Sequence, residues 1–73
     1  MKKASELTSG MSASVQGWSE DAEVGRFLEL GILLGSRIEV LHSAPFRGAT
    51  YLKTEHGNYA LRKEELAQIL ISA

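Results

Sequence analysis

The chain has 73 residues, 44% hydrophobic and 23% charged, with eight Lys+Arg against nine Asp+Glu and a formal net charge of −1. So short a chain buries only about 60% of its unfolded surface. That predicts one small domain over residues 1–73, a binding module rather than an enzyme with a deep, walled site. The cations Lys2, Lys3, Arg26, Arg37, Arg47, Lys53, Arg62 and Lys63 are scattered among acids, so no basic face for nucleic acid is expected. The absence of cysteine excludes disulfides, thiolate metal sites and cysteine nucleophiles, and it suits a reducing compartment. Lys2-Lys3 is followed by Ser, Thr, Glu and Gly rather than by the apolar stretch of a leader. Ile32-Leu33-Leu34 is far too short to cross a bilayer. A cytoplasmic protein without membrane insertion is therefore expected.

Residues 1–10 read as a polar lead-in, with residues 1–6 flexible. Residues 11–18 alternate Met11, Ala13 and Val15 with small polar residues, as a half-buried first strand does, and Gly17 marks a bulge or a close approach. Residues 19–30 read as a helix. Val24, Phe27 and Leu28 form its apolar stripe, Ser19 or Asp21 its N-cap, and Gly31 its left-handed C-terminal residue. Phe27, the largest side chain on the stripe, should plug the open side of the fold. Gly25 in mid-helix predicts something packed closely over it. Residues 36–43 follow a period of two, with Ile38, Val40 and His42 on one face. Residues 44–48 form a loop at Pro45 and Gly48. Residues 49–55 form a strand, 55–58 a tight turn, 58–62 the return strand. Residues 63–67 make one helical turn, and 68–71 a final strand. The expected fold is mostly β: a small, partly closed barrel of about five strands, with one helix after the first strand and a short helical turn before the last.

The stretch from Arg26 through Leu30-Gly31 and Gly35 to Val40 resembles the "R-L-x-E-L-G-h-x-P-G-x-x-h-x-V" core of FeoA-type proteins. The likeness continues through Ala44-Pro45-Phe46-Arg47-Gly48 and then through residues 59–69, which match an "h-A-L-R-x-x-x-A-x-x-I" ending. It covers roughly residues 7–71. The chain departs from the pattern at Leu34, where the family often has Pro, and at Arg47-Gly48-Ala49, where Gly-Asp-Pro-like residues are common. The resemblance implies an SH3-like barrel acting as a cytoplasmic accessory protein of bacterial ferrous iron transport. It implies as partner a FeoB-type permease with a cytoplasmic GTP-binding domain, whose assembly or activity the protein would modulate. The alternative is a small metal-sensing or nucleic-acid-associated barrel related to the C-terminal domain of DtxR-type repressors.

No nucleophile–base pattern and no phosphate loop is present, so neither catalysis nor GTP binding is expected of this chain. His42 and His56 lie far apart without clustered acids, and no metal or cofactor site is expected. Trp18, Tyr51 and Tyr59 suit packing in or over the barrel better than base stacking. Two loops carry large apolar residues where polar ones are usual: Ile32, Leu33 and Leu34 after the helix, and Phe46 beside Arg47. Leu33, Leu34, Phe46 and Arg47 are the candidate partner-binding residues, for the permease or, failing that, for self-association. The alternative is that Leu33 and Phe46 fold back as lids on the barrel.

Overall fold

The computed structural model describes residues 2–45 and 48–72. Six strands form one antiparallel sheet: β1 (Lys2–Lys3), β2 (Ser12–Trp18), β3 (Arg37–Ser43), β4 (Thr50–Lys53), β5 (Asn58–Leu61) and β6 (Ile69–Ser72). Helix α1 (Val24–Glu29) follows β2, and the short α2 (Lys63–Leu66) joins β5 to β6. The strand order is β1-β6-β2-β3-β4-β5. No pairing joins β5 back to β1 among the described residues, so the sheet curls without closing. Alternate strand residues supply the core: Ala13 and Val15, Ile38 and Val40, Leu52, Leu61, Ile69 and Ile71.

The open side is filled by α1, as the position of Phe27 predicts. Phe27 is buried and stacks on Trp18 of β2, with ring centroids 5.6 Å apart. At the N-terminus the Glu23 amide donates to the Gln68 side chain at 3.1 Å. Farther along, Arg26 is ion-paired with Glu65 of α2. At the C-terminus the Thr54 hydroxyl donates to the Leu30 carbonyl at 2.6 Å. The helix therefore bridges the β2–β6 side of the sheet and the β4–β5 side.

Several expectations change. The helix spans six residues instead of residues 19–30, because the Ser19 amide donates to the Gln68 carbonyl and extends the β2–β6 pairing. Neither Ser19 nor Asp21 caps it; Glu23 holds the N-cap position, and Gln68, distant in sequence, receives its amide. Fewer than two helical turns leave room for one fully inward residue, so Val24 is half-buried and Leu28 is 44% exposed rather than core. A Cβ on Gly25 would meet nothing within 4 Å; close packing does not explain that glycine.

The lead-in is structured. Lys2 and Lys3 pair with Ile71 and Leu70, a 3-10 turn follows over Ala4–Glu6, and Ala4 and Leu7 are buried. The two-residue β1 raises the strand count from the expected five to six. Met11 stays outside β2 and exposed, its sulfur accepting from the Thr8 hydroxyl at 3.0 Å. The bulge expected at Gly17 is present as a register shift between Val15 and Gly17. A second shift, between Val40 and His42, breaks the alternation of β3. It turns His42 out to solvent, where its ring stacks on Tyr51 at 5.4 Å, instead of continuing the Ile38–Val40 face. Strand β4 stops at Lys53, because Thr54 opens the turn: its amide donates to the Gly57 carbonyl at 2.8 Å.

Candidate functional site

The segment after α1 is built from two linked turns. The Gly31 amide donates to the Leu28 carbonyl at 3.1 Å, and the Ile32 amide to the Phe27 carbonyl at 2.9 Å, with Gly31 at φ +82°. That pair of bonds is a Schellman motif, which commonly packs the second residue beyond the helix against its last turn. Ile32 accordingly joins Phe27 in the core, fully buried. Of the three apolar residues in this loop, Ile32 thus belongs to the core.

The next turn reverses the chain into β3. The Ser36 hydroxyl accepts from the Leu33 amide at 2.9 Å and donates to the Leu33 carbonyl at 2.7 Å. The Gly35 amide donates to the Val15 carbonyl, and the Val15 amide to the Ser36 carbonyl, both at 2.8 Å. The turn is thus clipped to β2 on both sides of Gly35. Its apex side chains point outward: Leu33 is 36% exposed and Leu34 62%. Of the four candidate binding residues, these two sit on one rigid turn. Phe46 and Arg47 lie outside the described residues.

A third set of contacts fixes the base of this turn. A Cβ on Gly31 would lie 2.8 Å from the His56 backbone nitrogen, so the β4–β5 turn presses directly on the helix end. His56 Nδ1 is 3.2 Å from the Glu29 carbonyl, and the His56 amide donates to the Thr54 hydroxyl at 3.2 Å. His56 therefore serves in a latch between α1 and the β4–β5 turn, while His42 stacks on Tyr51. Among the described residues no three His, Asp or Glu come together as a metal site would require. Trp18 packs against the core, and Tyr51 stays exposed beside His42.

Exposed Leu28 and Met11 were not read as surface residues from sequence, whereas Leu41 lies, as its period predicts, opposite the Ile38–Val40 face. Leu28 follows from the short helix. Met11 follows from the late start of β2, and no local pattern marks that boundary.

Among the described residues no helix is long and apolar enough to cross a membrane. Comparison with curated proteins finds no match. Among solved structures, the FeoA-like protein of Clostridium acetobutylicum is 25% identical, over 99% of this chain and 88% of that one, at TM-score 0.83. The zinc-complexed FeoA of Stenotrophomonas maltophilia, described as a procaryotic SH3 domain protein, is 25% identical over 99% and 91% of the two chains, at TM-score 0.75. A manganese-dependent transcriptional repressor is 20% identical over 97% of this chain and 40% of its own, at TM-score 0.87, a likeness of fold alone. The fold is thus the SH3-like one that the resemblance implied. The FeoA domain family model matches residues 2–73, and the chain belongs to that family.

Proposed function

We propose that the protein is a cytoplasmic accessory protein of bacterial ferrous iron transport, with no catalytic activity of its own. It binds the cytoplasmic GTP-binding part of a FeoB-type permease and modulates its assembly or activity. Family membership supports the transport role. The observation that carries the binding role is Leu34, a large apolar side chain 62% exposed at the apex of a turn fixed by Ser36 and Val15.

An apolar anchor on a rigid turn loses little conformational freedom on binding, so most of its burial is expressed as affinity. A loose loop with the same residue would lose part of that gain. Leu33 adjoins it, and the sequence adds Phe46 and Arg47 to the same surface role. The repressor-like alternative needs a continuous basic stripe. Arg26 is instead ion-paired with Glu65, and Lys53 faces Glu39 across the β3–β4 ladder.

Calorimetric titration of the chain into the permease's isolated cytoplasmic domain tests the reading. Leu34→Glu should keep a native circular dichroism spectrum and weaken the complex by about 1–2 kcal/mol or more. No heat of binding from the wild-type chain, or full affinity in the folded variant, would refute it.

A further inference from the structure

A cleft of about 360 Å³ opens between three segments, none of them part of α1 or the turn after it. It is lined by Ser5, Thr8 and Ser9 before β2, by Ser43 and Thr50 flanking the β3–β4 loop, and by Lys63 at the start of α2. Leu7 and Ala44 give it apolar wall. The walls are held by backbone bonds. The Leu7 amide donates to the Ala4 carbonyl at 3.1 Å, the Met11 amide to the Thr8 carbonyl at 3.0 Å, and the Ala44 amide to the Ala49 carbonyl at 3.0 Å.

The polar character is one-sided. No carboxylate is found among the described lining residues. Of the acids nearest in sequence, Glu64 adjoins Lys63 but does not line the cleft, Glu6 accepts from the Lys3 amide at 2.8 Å, and Glu65 accepts from the Arg62 amide at 2.9 Å and pairs with Arg26. Thr8 is committed to the Met11 sulfur, and the Ser43 and Thr50 hydroxyls lie 3.5 Å from each other. The hydroxyls of Ser5 and Ser9 and the Lys63 ammonium have no partner among the described residues. A cation and hydroxyl donors, brought together from separate parts of the chain with no acid among the described lining residues, suit an oxyanion.

We propose that this cleft binds a small organic oxyanion. Lys63, Ser5 and Ser9 hold its charged headgroup, and Leu7 and Ala44 cover its carbon skeleton. The volume argues for the organic body, since about 300 Å³ is where pockets for small organic ligands begin and a bare ion would leave most of it to water. The cleft shares no described lining residue with the Leu34 turn, so the anion titration and the Leu34→Glu binding test are read separately.

The test is an amide chemical-shift titration of the whole chain with glycerol 3-phosphate, with succinate, and with glycerol as the neutral control. Saturable shifts centred on Ser5, Leu7, Thr8, Ser9, Ser43, Ala44, Gly48, Thr50 and Lys63 are expected for at least one of the two anions, and none for glycerol. Lys63→Met, which keeps the aliphatic stem, should weaken binding about tenfold or more. Lys63→Arg should restore most of it, and Ser9→Ala should cost a smaller factor. The tighter of the two anions identifies the headgroup. The proposal is overturned by the absence of saturable shifts up to about 20 mM anion, well beyond a millimolar Kd. It is equally overturned by binding that Lys63→Met leaves unchanged, or by equal shifts with glycerol.

Discussion

The sheet and the helix that plugs it are held by different means. Each strand of the sheet is fastened by a ladder to a neighbour, and its alternation of buried and exposed residues is written locally. Helix α1 has six residues and no side-chain N-cap, too few to be stable alone. Its fastenings come from elsewhere: Gln68 at its start, Glu65 at its middle, Thr54 and His56 at its end, and Trp18 against its one buried ring. This helix is therefore a product of the sheet around it. The turn it leads into inherits that placement.

If the plug is a tertiary product, the largest effect should come from its buried ring. Phe27→Ala should cost about 3–5 kcal/mol, enough to unfold most of so small a domain. A thermal melt within a few degrees of wild type would break the account of the open side.

Next comes the joint between plug and sheet. Gly31→Ala meets both a left-handed backbone and the His56 backbone, and should cost about 1–3 kcal/mol in urea denaturation. Thr54→Val removes the hydroxyl that reaches the Leu30 carbonyl, and should cost about 1–2 kcal/mol. A neutral result for both would mean that the β4–β5 turn does not anchor α1.

The smallest effect has the opposite sign. A side chain at Gly25 meets open space and needs no unusual backbone, so Gly25→Ala should stabilise by about 0.5 kcal/mol. Destabilisation there would mean that a contact missing from this account covers the helix.

The same division decides what was legible in the sequence. Ile38, Val40, Leu52, Leu61 and Ile69 were readable as core, because a period of two is a local signal. Gly31 and Gly35 were readable as turn residues, and both have positive φ. The start of α1 was not readable, since Gln68 supplies the bond to the Glu23 amide from across the fold. Nor was the burial of Ala4 and Leu7, which depends on β1 finding β6 at the other end of the chain. At the candidate site Leu33 and Leu34 were visible as surplus apolar residues. The inward turn of Ile32 needed the Schellman bonds to be seen. His42 was placed on the wrong face because a bulge leaves no mark in the alternation until the register is known.

One short turn points Ile32 inward and Leu34 outward, and under the proposed function the first serves folding and the second binding. The most direct measurement compares Ile32→Ala and Leu34→Ala for both stability in urea and affinity for the permease's cytoplasmic domain. Ile32→Ala should lower stability by about 2–5 kcal/mol. Leu34→Ala should leave stability within about 0.5 kcal/mol of wild type and weaken binding about fivefold or more. A Leu34→Ala variant that binds as tightly as wild type, or loses as much stability as Ile32→Ala, would contradict that division.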